Sequence, residues 1–239
     1  LVRGVAVLGI LAINIAGFAG PPLAILTPHW QGTASPADEL AFAASFVLFE
    51  GKMRALFPLL FGAGLALFTR GDEAGALGRD TLQMRRLGWL ALFGLAHFHA
   101  LWWGDILFAY AICGMIALPL RHAPAAVLAG WGLALFFLWH GISAAGGLPA
   151  VLAEEAVRTG TASAAEMSAH AAHRDAMMAQ AEHELAIMRA PFAERLGERL
   201  FTETFRPLAS LSTSIGETFP LNLIGMALCR LGFFDGSWR

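Results

Sequence analysis

Glu50, Lys52 and Arg54 alternate along FEGKMRALFPLLFGAGLALFTR, residues 49–70, and sit directly on an apolar run. Ionisable side chains at membrane depth persist where they pair with one another or line a polar cavity, so this stretch marks a functional site by default. Asn14, His97, His99, Asp105 and Glu217 interrupt other apolar runs in the same way. Gathered at one level, such groups would suit the binding of an ion or of a substrate that moves with a proton.

The elements that must position them are membrane helices. Of 239 residues, 57% are hydrophobic and 14% charged, with a mean hydropathy of +0.60. Soluble domains run at ~45–50% apolar and ~25% charged. A net charge of −2 gives no sign of a nucleic-acid partner. The partner that composition does imply is the lipid bilayer. Cys113 and Cys229 both fall in apolar runs, so no disulfide framework is expected. The chain starts at Leu1 without Met and ends on Ser237-Trp238-Arg239 just after an apolar run, so it reads as part of a longer protein.

A span needs roughly 20 apolar residues, and about six such runs are expected, which makes the fold class an all-α polytopic transmembrane helix bundle. Span one runs from Val5 to about Leu26, with Gly20-Pro21-Pro22 as a natural helix end. Ser35-Pro36-Ala37-Asp38 reads as a helix start with Pro at the first helical position. Span two covers about Ala41 to Phe68 with a kink at Pro58, span three Leu87 to Trp103, span four Ile106 to Leu120 and span five about Ala125 to Ala145. Residues 1–145 therefore hold five spans. Residues 146–206, charged and broken by Pro149 and Pro191, form a helical segment outside the bilayer. Residues 207–230 make span six, and 231–239 begin a further loop. Arg3, the four arginines between Thr69 and Arg86, Arg121, Arg230 and Arg239 fall on one side, so the start of the chain is expected in the cytoplasm of a bacterial inner membrane.

Depth can be read from the ~1.5 Å rise per helical residue. Arg54, His97, His99, Asp105, Glu217 and Asn14 then all lie roughly 17–24 Å above the cytoplasmic arginine of their own span. In a hydrocarbon core of ~30 Å they share a level in the outer half. This predicts an outward-open polar vestibule containing Asn14, Glu50, Lys52 and Arg54, with Asp105 at its rim. Plainer roles compete with it. Glu50 and Arg54 can form a local i,i+4 pair, and Asp105 can cap a helix. His97 and His99 point to nearly opposite sides of their helix, so one faces the vestibule and the other packs. Glu217 has no opposite charge within four residues of it in its own span.

Other signals fail. Gly51-Lys52 lacks the phosphate-loop pattern, since Phe46 and Met53 stand where Gly and Ser or Thr are needed. His170, His173 and Asp175 come without a thiolate on a mixed-charge helix, and no metal is expected. Gly62, Gly64, Gly130 and Gly132 are read as permitting close helix packing.

Several motifs in order are familiar. Arg3-Gly4 with Leu8-Gly9-Ile10-Leu11 and Asn14-Ile15, Glu50-Gly51-Lys52 with Arg54-Ala55-Leu56-Phe57, Leu60-Phe61-Gly62-Ala63-Gly64, Gly104-Asp105-Ile106-Leu107 with Tyr110-Ala111, and Gly225-Met226-Ala227-Leu228 together resemble the YeiB-like bacterial membrane proteins, the family of domain of unknown function 418. Its members are longer at both ends. The family in turn resembles transmembrane acyltransferases that include heparan-alpha-glucosaminide N-acetyltransferase. That likeness implies an acyl donor such as acyl-CoA approaching from the cytoplasm, its phosphates met by Arg3, Arg70, Arg85 or Arg86, and a small-molecule or glycan acceptor entering from outside. His97 or His99 would be the general base, Glu217 or Asp105 would orient it, and Lys52 or Arg54 would stabilise the oxyanion. The competing expectation, from the polar level itself, is a secondary transporter or channel. No feature fixes an oligomeric state.

Overall fold

The computed structural model describes residues 2–69, 76–234 and 236, and among them every regular element is helical. In chain order they are α1 (Val2–Ala19), α2 (Leu23–Leu26), α3 (Pro36–Leu48), α4 (Lys52–Phe68), α5 (Ala76–Ala100), α6 (Leu107–Ala117), α7 (Ala125–Thr159), α8 (Ala164–Arg189), α9 (Phe192–Phe201), α10 (Arg206–Ala209) and α11 (Leu211–Arg230). Among the described residues two stretches are long and apolar enough to cross a membrane, residues 36–68 and 125–159. Large apolar side chains on α7 point away from the rest of the chain, with Phe137 68% and Trp131 62% exposed. Such a face needs an apolar surround.

The chain-start turn is where the sequence places it. α1 stops at Ala19, because Gly20-Pro21-Pro22 cannot continue a helix. α3 begins with Ser35 accepting from the Asp38 amide while the Asp38 carboxylate accepts from the Ser35 amide, a capping box with Pro36 at the first position. The second expected span differs. It is not one helix kinked at Pro58 but two, broken at residues 49–51, where Gly51 adopts φ +73° and starts α4 afresh. An L-residue rarely adopts that backbone, which is why a glycine stands there. Pro58 stays inside α4. Pro149 likewise does not interrupt α7, which runs unbroken past Gly146 to Thr159, whereas Pro191 does separate α8 from α9.

The core forms around α11, which packs on α4, α7 and α6. Leu65, Leu87, Leu128, Leu223, Met226 and Ala227 are buried there. Two helices meet almost backbone to backbone. A Cβ at Gly62 would lie 2.1 Å from the Asn222 carbonyl oxygen, and one at Gly225 would lie 2.0 Å from that of Leu59. Gly132 plays the same part for α7 against α11, 2.9 Å from the Pro220 carbonyl, while Gly130 faces open space. Small residues at a crossing are what let two helices approach this closely.

The two ends of the bundle are chemically distinct. At one end the Arg121 guanidinium reaches Asp80 Oδ2 at 2.5 Å, and Arg230 donates to the Arg121 carbonyl, tying α5, the turn after α6 and α11 together. At the other, α9 packs on α5, with Arg199 buried and donating to the Phe98 carbonyl at 3.1 Å. Burial, reinforced by Arg195, pulls the Arg199 pKa below its ordinary value. Arg206 bridges Glu184 at 3.0 Å and Glu203, fastening α8 to α10.

Candidate functional site

A cavity of about 520 Å³ opens at the α9 end of the bundle, between α1, α4, α6, α7 and α11. Its polar wall holds Asn14, Glu50, Arg54, Asp105, Tyr110, His140, Ser214, Glu217 and Thr218. Arg54 is the hub. Its guanidinium lies 3.0 Å from Glu50 Oε1 and 2.6 Å from Glu217 Oε2, so one cation spans two carboxylates from different helices. The local i,i+4 pair and the long-range pair both form. The Glu50–Arg54 spacing could give the first, but only the packing of α4 on α11 supplies Glu217 with its partner. The break at Gly51 sets Glu50 in a turn one step before α4, aimed into the cavity alongside Arg54.

Asp105 performs two tasks. Its Oδ2 accepts from the Phe108 amide at 3.0 Å, which caps α6, and its Oδ1 lies 3.1 Å from His97 Nδ1. The second contact has an ion-pair distance without the alignment of a hydrogen bond, and the Asp105 side chain is only 3% exposed. The helix packing that brings them together depends on Gly94, where a Cβ would sit 2.3 Å from the Phe108 nitrogen and 3.0 Å from Asp105 Oδ2. His97 stands behind Asp105, and the cavity wall itself carries the carboxylate. His99 points elsewhere, with Nδ1 3.1 Å from the Arg199 carbonyl. One histidine of the pair is thus near the cavity and the other packs, as their spacing on the helix requires.

Not every expected residue joins. Lys52 turns back to donate to the Val47 carbonyl and is absent from the cavity wall. Arg85 is exposed on α5, and the Arg86 guanidinium lies over the Phe68 ring, 4.4 Å from its centroid. Both are on the half of α5 remote from the cavity. The side chain of Arg3 and the whole of Arg70 lie outside the described residues. Among the described residues no group of three or more metal-ligating side chains gathers.

Sequence reasoning assigned no role in the vestibule to Tyr110, His140, Ser214 and Thr218. Tyr110 is the single tyrosine of the chain, buried with its ring edge-on to Phe57 and Phe61, each 5.3 Å between centroids. A lone tyrosine in an apolar helix was the available signal. His140 gave none, because it sits in α7 as one polar residue of an otherwise apolar face. Trp102 and Trp103 also line the cavity. Trp102 Nε1 donates to the Gly17 carbonyl at 3.2 Å, so this ring is held against α1.

Comparison with known proteins matches a little over half of the chain. YeiB of Escherichia coli K12 is 40% identical over 143 residues, 59% of this chain and 35% of YeiB. YxaH of Bacillus subtilis 168 is 33% identical over 143 residues, 58% of this chain and 36% of YxaH. A 39.9 kDa protein encoded in the amylase 3′ region of Bacillus acidopullulyticus is 35% identical over 122 residues, 49% of this chain and 31% of that protein. The matched stretch is thus about a third of the length of each of these relatives, and each is named as uncharacterised. No family model and no solved structure matches the chain. The resemblance read from the sequence is borne out by these relatives: over the matched stretch the chain is similar to YeiB and YxaH.

Proposed function

We propose that the chain forms six crossings of a bacterial inner membrane, starting in the cytoplasm, and that its cavity is an outward-open acceptor site of a membrane acyltransferase. The observation that carries this reading is the pairing of a carboxylate-held histidine, His97 with Asp105, beside a cavity whose other wall presents the Arg54 guanidinium. An acceptor hydroxyl or amine attacks the thioester carbonyl of an acyl-CoA. The proton the nucleophile loses passes through the Asp105 carboxylate on the cavity wall to His97 behind it, Arg54 faces the oxyanion, and the thiolate leaves and takes up a proton. The donor comes from the cytoplasmic side, where Arg85 and Arg86 are the described basic residues that could meet its phosphates. Acyl-CoA binding to the detergent-solubilised full-length protein, measured by calorimetry, tests it. Binding should fall roughly tenfold or more in Arg85→Ala/Arg86→Ala, at ~1.5–3 kcal/mol per charged hydrogen bond, and persist in His97→Ala. A folded protein that binds no acyl-CoA at millimolar donor removes the acyltransferase reading.

One observation favours a second reading. The helix is broken at Gly51, Pro58 and Pro220 lie inside α4 and α11, and an ion pair joins those two helices across the cavity. Broken helices with paired charges near mid-membrane also suit a secondary transporter. That reading expects uptake or efflux coupled to a proton or ion gradient and indifferent to acyl donors.

A further inference from the structure

A second hollow runs along α4 away from the cavity toward Arg86, and the acyl-transfer reading leaves its apolar length unexplained. It is a groove of about 620 Å³ between α4 and α5. Val7, Phe57, Leu60, Phe61, Leu65, Leu67 and Phe68 line its length, and Gln83 and Arg86 stand together at one end. Phe57 to Phe68 spans eleven residues of α4, about 16 Å along the helix at ~1.5 Å per residue. Two features of that polar end need a partner. The Arg86 guanidinium has the Phe68 ring beneath it and no carboxylate on it among the described residues. Gln83 is 7% exposed, and its Oε1 is closed to solvent without a hydrogen-bond donor. Both sit at the arginine-rich, cytoplasmic end of the helices, one turn apart on α5.

We infer that this groove is a binding site for an anionic phospholipid of the inner leaflet, with an acyl chain along α4, the phosphate on Arg86 and a headgroup hydroxyl on Gln83. Basic pockets between helices on the cytoplasmic side are where anionic headgroups settle. The guanidinium fork suits a phosphate oxygen pair, and a buried amide oxygen is costly unless something donates to it. Phosphatidylglycerol offers both groups. Phosphatidylcholine offers the phosphate beside a fixed positive charge and no hydroxyl. The inference rests on the chain spanning the membrane, and under it a bound lipid competes with an acyl donor for Arg86.

The test is native mass spectrometry of the full-length protein released from bilayers of equal phosphatidylglycerol and phosphatidylcholine. Phosphatidylglycerol should be retained preferentially. Arg86→Met should lower that preference roughly fivefold, at ~1 kcal/mol per arginine near the surface, and Gln83→Leu should lower it as well. Arg85→Met, one residue away but outside the groove, should lower it less than Arg86→Met does, and an equal loss in the two variants would overturn the inference. Equal retention of both lipids, an unaltered preference in Arg86→Met, or exclusion of lipid because another part of the protein fills the groove would each overturn the inference. Release by millimolar glycerol phosphate without a tail would overturn the part assigned to the acyl chain.

Discussion

Gly225→Ala and Gly62→Ala should each destabilise the bundle by ~1–3 kcal/mol, the usual range for overpacking a closed interface. At ~2–4 °C per kcal/mol for a chain of this length, that is a fall of roughly 2–12 °C in thermal midpoint. The clash is with backbone, 2.0 Å from the Leu59 oxygen in one case and 2.1 Å from the Asn222 oxygen in the other, so no side chain can swing away to relieve it. α4 and α11 have to separate. Because either substitution forces the same separation, the double variant should cost less than the sum of the two. Gly130→Ala is the control, since nothing lies within 4 Å of its Cβ position. It should be neutral or slightly stabilising through the better helix propensity of alanine. Thermal unfolding in detergent, followed by circular dichroism, reads all four. An unaffected Gly225→Ala would mean that the close crossing is absent in solution.

Arg54→Met should be the most damaging change in the cavity wall. It keeps the unbranched apolar stem but removes the guanidinium, leaving Glu50 and Glu217 facing one another with no cation between them. Removing one member of a network costs more than removing matched members together, because the charges left behind are unpaired. The Arg54 side chain is 55% exposed, so water reaches it and the loss belongs toward the modest end, ~1–2 kcal/mol. Arg54→Met/Glu217→Gln should recover much of it. Glu217→Gln alone leaves Arg54 its Glu50 partner and should be milder than Arg54→Met. A double-mutant cycle on unfolding midpoints checks this. Additive effects across Arg54 and Glu217 would show that the 2.6 Å contact does not couple the two helices.

How far the sequence alone reaches depends on the kind of feature. Local chemistry was legible: the Gly20-Pro21-Pro22 stop, the Ser35-Pro36 start and the Asp105 turn follow from residues a few positions apart. The shared level of Asn14, Arg54, Asp105 and Glu217 was legible too, because helical rise converts sequence distance into depth. Rotation about each helix axis was not. It decides that Lys52 turns away while Arg54 turns in, and that Tyr110 and His140 join the wall. Gly51 shows the same limit from another side. It lay within an apolar run that reads as one helix, and its positive φ is visible only once the chain is folded. Pro58 was the expected point of disruption, yet a proline can stay in a helix when only the carbonyl four residues back loses its partner.

The central claim is that the Arg54–Glu217 cavity opens to the outside of the cell. The measurement that tests it most directly is labelling of Ser214→Cys, on the cavity wall, with a membrane-impermeant maleimide in intact cells. The native cysteines, Cys113 and Cys229, are buried and give a low background. The account predicts that Ser214→Cys reacts from outside, while Arg85→Cys, at the opposite end, reacts only after the membrane is permeabilised. Labelling of Ser214→Cys only after permeabilisation, with Arg85→Cys labelled in intact cells, would reverse the orientation and contradict it.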